Sequence, residues 1–244
     1  MRAVLVLAAA AAVSAAMDSA SFRYLGASPG GSHAAWMSYG VYDGSGFPWA
    51  EVEILTTSPY RVLEKYGVVL HDEMIHSIAA QDSVLSLAAT DLRRFRITME
   101  NGGQVLVDHR LTDAGVPPDT VVFSLESYGT WYPGVTYTMV LEQEPTTVTD
   151  RIADWFPDPV LIKLVMYDGR SSALVFQERE APEEYRQSFG YRIAKVIRLH
   201  KGALLVVLNV IQPGFEGPNL RYRLIPVEFP VAWRNCREKE NSLV

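Results

Sequence analysis

Residues Gly31–Leu55 read GSHAAWMSYGVYDGSGFPWAEVEIL, and the parsing of this stretch decides the fold. Two runs rich in aromatic and apolar residues flank a short segment of Gly, Pro, Asp and Ser. Such runs favour extended chain, and Asp43-Gly44 supplies the turn chemistry that joins two antiparallel strands. A second stretch from Gly202, GALLVVLNVIQPGFEGPNLRYRLIPV, has the same plan. At a constant spacing Gly31 aligns with Gly202, Gly46 with Gly217 and Ile54 with Ile225, which reads as an internal repeat of two related hairpins near 22–56 and 196–229. One pair of repeats so far apart is too sparse for a solenoid or a full propeller.

Between them lie further short runs, among them QVLVDHRL, TVVFSL, TYTMVLEQE, VLIKLVMY and SALVFQERE. Turn residues at Asn101-Gly102-Gly103, Pro133-Gly134 and Asp168-Gly169 separate several of them. No steady strand–helix alternation calls for a parallel sheet. The fold class expected is mainly β (α+β), with antiparallel hairpins and meanders in a β-rich body and one helical segment near 72–94. In that segment Ile75, Ile78, Ala79, Leu85, Ala88 and Leu92 fall at helical spacing, with acids first and Arg93 and Arg94 last, as the helix dipole favours. Gln81-Asp82-Ser83 is a candidate break into two helices.

The chain opens MRAVLVLAAAAAVSAA. Arg2, an apolar run and small residues before Ala16 form a secretory signal peptide, residues 1–16. The run is shorter than the about 20 residues a membrane helix needs. Residues 17–234 then form the secreted β-rich domain and 235–244 a polar tail, with no transmembrane span in the mature chain. The net charge of −6 and the lack of a basic block argue against nucleic acid as a partner. Cys236 is the single cysteine, so no intrachain disulfide can form.

Several motifs invite a chemical reading. Gly26-Ala27-Ser28-Pro29-Gly30 spells G-x-S-x-G, but a nucleophile elbow needs a helix directly after the serine. Pro29 and a strand-like run follow instead, so Ser28 reads as part of a β-turn. His71 and His76 are five apart, about 140° around a helix, and do not make a zinc pair. Asp43-Gly44-Ser45-Gly46 offers too few oxygens for calcium and reads as a self-capped turn. The pairs Glu51/Glu53, Glu142/Glu144 and Glu178/Glu180 each share a strand face and read as acidic, solvated sheet surface. No metal or cofactor is expected. What remains are the stiff Gly/Pro loops, whose Asp43, Phe47, Trp49, Phe215 and Glu216 are candidate binding residues, or lids over the end of the β-core.

At these loops the chain resembles a family of predicted secreted bacterial proteins known only as a domain of unknown function. FRYLGASPGGSHAAWMSYGVYDGSGFPWAEVEIL is similar to its opening and VVLNVIQPGFEGPNLRYRLIPV to its closing segment. The first hairpin also resembles a TolB-type propeller repeat, with Gly30 where that turn carries Asp. The resemblance implies secretion and a β-rich body and transfers no catalytic residue. The function expected is non-catalytic binding in the periplasm, through an envelope protein or a small ligand. The alternative is a secreted hydrolase with dispersed catalytic residues, including His109 or His200 beside an acid and a hydroxyl.

Overall fold

A computed structural model describes residues 18–72, 74, 76–110, 113, 115, 117–125, 135–146, 155–199, 203–214 and 217–228. The expected signal peptide (1–16) and polar tail (235–244), with Ile75, His200, Phe215 and Glu216, lie outside the described residues.

The strands are β1 (Ser21–Ala27), β2 (His33–Val41), β3 (Pro48–Thr57), β4 (Tyr60–Val69), β5 (Gln104–Asp108), β6 (Thr120–Leu125), β7 (Val135–Pro145), β8 (Val160–Tyr167), β9 (Ser172–Gln177), β10 (Gly190–Arg198), β11 (Ala203–Pro213) and β12 (Pro218–Glu228). One helix, α1 (Ser77–Arg94), follows β4. The strands form three antiparallel sheets: a first sheet β1-β2-β3-β4, a middle sheet β12-β11-β10-β5 and a third sheet β6-β7-β8-β9. The described strands form neither a closed barrel nor a propeller. Both quoted stretches are hairpins, β2–β3 and β11–β12. No helix among the described residues is long and apolar enough to cross a membrane.

The layers stack as helix, first sheet, middle sheet, third sheet. In β11, Leu204, Val206, Leu208 and Val210 pack into one core with Tyr137, Met139, Leu164 and Met166 of the third sheet. Leu205 and Val207 point the other way, into a core with Ala34, Trp36 and Leu55 of the first sheet. A strand buried on both faces needs an unbroken apolar run, which explains Leu204–Leu208. In β8 only alternate residues, Ile162, Leu164 and Met166, are fully buried, the pattern of an outer layer with one covered face.

The outer face of the first sheet, with Ala35, Met37, Val52 and Ile54, is covered by α1 through Ala80, Val84 and Ala88. Of the expected helix stripe, Ala88 is buried and Leu85 and Leu92 pack beside it, but Ile78 is exposed, and the fully buried row runs four residues apart on small side chains that bring the helix close to the sheet. The helix is continuous through Gln81-Asp82-Ser83, where Ser83 Oγ donates to the Ala79 carbonyl (2.7 Å) and the polar side chains lie off the buried row. Asp72 precedes the helix. His76 is its cap, with Nδ1 accepting from the Ile78 N–H at 3.3 Å. Gly26 marks a bulge in β1 at φ 117°, where a Cβ would lie 2.1 Å from the Thr98 carbonyl oxygen. No side chain fits there, so Thr98 can bridge to Ala27.

Candidate functional site

The space between the first and middle sheets is apolar at one end and charged at the other. Along β2 the residues facing the middle sheet are Ala34, Trp36 and Ser38, since alternate side chains share a face. Register places Trp36 opposite Glu53 and Ser38 opposite Glu51 in β3. Glu53 in turn lies opposite Lys65 in β4. Trp36, Glu53 and Lys65 therefore form one row across three strands.

Glu184 and Tyr185 on the 183–185 turn, with Gln212, Arg221 and Tyr222 of the middle sheet, form the opposite wall. The two walls enclose a cleft of about 180 Å3. Gln212 Nε2 donates to the Glu184 carbonyl and to Ser188 Oγ, tying the turn to β11. Tyr185 donates its hydroxyl to the Tyr222 carbonyl at 3.2 Å. Phe22 sits 5.7 Å from the Trp36 ring and 5.2 Å from the Tyr222 ring, so it wedges the two walls together.

The charges are distributed unevenly. Lys65 Nζ lies 2.6 Å from Glu184 and 3.5 Å from Glu51. Burial works against its charge, but the two carboxylates prevail and hold its pKa above the usual value. Arg221 is paired with Asp18 at 2.7 Å. Deeper, Arg223 forms a fully buried ion pair with Glu178, and its guanidinium lies 4.8 Å from the Tyr185 ring centroid. Burial disfavours that charge too, and Glu178 more than offsets it, so the Arg223 pKa is raised.

Glu53 is different. It is 5 % exposed, and among the described residues its carboxylate accepts one hydrogen bond, from Trp36 Nε1 at 3.3 Å. Burial pushes its pKa up to about 7, with the Trp36 bond opposing and Glu184 reinforcing the rise. A carboxylate held there can carry or release a proton near neutrality, or meet an incoming cation.

The candidate loop residues separate in space. Trp49 is buried, packed over Gly40, stacked on Tyr42 at 5.7 Å and with its ring 5.1 Å from the Arg221 guanidinium. It backs the cleft wall and joins the base of the first loop to the start of β12. Phe47 is half-buried, edge-on to His71 at 5.2 Å. Asp43 is exposed, its Oδ1 accepting from the Gly44 N–H at 3.1 Å. Phe215 and Glu216 fall outside the described residues.

Ser28 sits in a turn closed by Gly31 N–H to the Ser28 carbonyl (2.8 Å). Its buried hydroxyl accepts from the His33 N–H at 3.1 Å. His109 shares a recess of about 10 Å3 with Arg110 and Asp113, too small for a substrate. No group of three or more His, Cys, Asp or Glu among the described residues could hold a metal ion.

Sequence reasoning placed Glu51, Glu53 and Glu178 on solvated surface, and this is corrected. Glu53 and Glu178 are buried, and Glu51 lines the cleft. Glu144, paired with Lys163, does lie on exposed surface. The available signal was on the other side of β3: Ala50, Val52 and Ile54 already form a covered face. Had β3 been read as an inner strand, Glu51 and Glu53 would have had to lie between two sheets.

The chain belongs to the family described as predicted secreted protein (DUF2259), whose model matches residues 35–228, from β2 to the end of β12. No curated protein matches the sequence significantly.

Proposed function

We propose that this secreted protein works in the periplasm as a non-catalytic binding protein that takes a small ligand into the cleft between its first and middle sheets. The observation that carries the reading is a charged cleft opening beside the apolar core of the first and middle sheets, with the buried Glu53 carboxylate on its wall. Packed β-layers exclude polar groups unless these are satisfied, and a cavity with a few convergent polar groups is the ordinary form of a ligand site. Its volume is below the ~300 Å3 at which drug-sized pockets begin, so the occupant is small. Asp43 and Phe47, with Phe215 and Glu216 of the second loop, are the proposed contacts for an envelope partner, and the buried Trp49 braces the first loop from behind. Trp49 supports this by linking its loop to Arg221 in the cleft wall.

The test is a nuclear magnetic resonance screen of small polar compounds against the full mature chain. It follows the Trp36 indole N–H, assigned with Trp36→Phe. At least one compound should move that signal saturably. A library that leaves it still, or moves only residues 42–47, removes the cleft as the site.

One observation favours a second reading, a hydrolase. Glu53 and Glu184 reach the same cleft from separate elements, as an acid and base pair for glycoside cleavage would. Release of nitrophenol from a panel of aryl glycosides, abolished by Glu184→Gln, would establish it in place of simple binding.

A further inference from the structure

We infer that the occupant of the cleft is a small organic cation, an alkylamine or alkylguanidinium, whose charge docks on Glu53 while its apolar stem lies along Trp36 and Tyr222. This rests on the reading of the cleft as a ligand site and names the class of ligand.

The charges around the cleft are partnered, with one exception. Lys65 is held between Glu51 and Glu184, Arg221 by Asp18, and Arg223 by Glu178. Glu53 is the carboxylate left without an ion-pair partner among the described cleft residues. A buried charge is costly unless it is paired and hydrogen-bonded. Trp36 supplies one donor to Glu53 Oε1, and no second donor reaches the carboxylate among the described residues. A ligand ammonium or guanidinium would supply the missing charge and hydrogen bonds together.

The walls discriminate in the same sense. Three carboxylates line the cleft against Lys65 and Arg221, both already engaged. An anion would meet repulsion with no free cation among the described cleft residues to receive it. Trp36 and Tyr222, braced by Phe22, present ring surfaces beside Glu53 that suit both an alkyl stem and a cation. The groups facing Glu53 from the packed elements are Trp36 of β2, Tyr60 and Lys65 of β4, Glu184 and Tyr185 of the 183–185 turn, and Arg223 of β12. Burial of Glu53 makes its proton and a cation competitors for one site near neutral pH.

Calorimetric titration of the full mature chain with agmatine, xylitol and glutarate tests this. Agmatine should bind saturably at pH 7.5, and glutarate should give no binding. Glu53→Gln should weaken agmatine at least tenfold while the variant still unfolds in one cooperative transition. In the wild type, lowering the pH to 5 should weaken it at least tenfold as Glu53 takes up its proton, an arm that decides the matter should the variant fail to fold. Agmatine binding indifferent to both changes overturns the inference. So does preference for glutarate or xylitol, or silence of agmatine where the screen has found another cleft ligand, and either result leaves the cleft itself standing. A screen with no cleft ligand at all overturns both readings.

Discussion

The two faces of the middle sheet have opposite characters. Toward the third sheet, Leu204, Val206, Leu208 and Val210 meet Tyr137, Met139, Leu164 and Met166 in a continuous apolar core. Toward the first sheet, the apolar core of Leu205, Val207 and Leu224 gives way to the cleft of Glu53, Lys65 and Arg221. One face is sealed by apolar packing with a matched ion pair, Arg223–Glu178, buried at its edge, and the other opens into a charged cleft. Stability and binding are thereby divided between two interfaces of one sheet.

Substitutions on the two faces should therefore have unequal consequences. The largest effect is expected at the buried pair beside the cleft: Arg223→Met leaves Glu178 charged and unpaired, at a cost of about 3–5 kcal/mol in urea unfolding. Adding Glu178→Leu should restore much of it, because a matched apolar pair replaces a buried ionic one. On the closed face, Leu208→Ala should cost about 3 kcal/mol, the usual range for a large-to-small change at a fully buried site. A loss under about 1 kcal/mol there would mean that this face is not closely packed.

Glu53→Gln should act in the opposite direction. The Glu53 pKa is raised from 4.5 to about 7, so its contribution to stability is fully present below about pH 4.5 and is lost as pH rises through about 7. Melting temperatures from pH 5 to 8 should fall more steeply for wild type than for the variant, which gains about 3 kcal/mol at pH 8. Parallel curves would place Glu53 in solvent. The smallest effect is at Ser28. Ser28→Ala removes a turn hydrogen bond worth about 1 kcal/mol and should leave ligand binding untouched.

Much of the fold was legible in the sequence because it is local. Turn residues and strand composition marked the hairpins, and the helix announced itself by its period and by Arg93 and Arg94. Ser28 could be assigned to a turn from Pro29 alone. The helix face was less legible, since Ile78 outranks Ala80 in hydrophobicity while the close approach to the sheet selects the smaller side chain. The cleft was not legible. Two-residue spacing puts Glu51 and Glu53 on one face, but whether that face meets water or another sheet depends on β11 and β12, about 150 residues onward. The pairing of Glu178 with Arg223 is nonlocal in the same way. Trp49, picked for its loop, is buried because β12 brings Arg221 against it.

One face of the middle sheet is sealed and the other opens into an accessible cleft. Hydroxyl-radical footprinting read by mass spectrometry tests it most directly, with and without a saturating compound from the Trp36 screen. The account predicts that Tyr222 in the cleft is oxidised and then protected by the compound, while Met139 and Met166 on the sealed face stay unmodified in both conditions despite their greater intrinsic reactivity. Oxidation of Met139 and Met166 to the level of Tyr222, or no protection of Tyr222 by the compound, would contradict it.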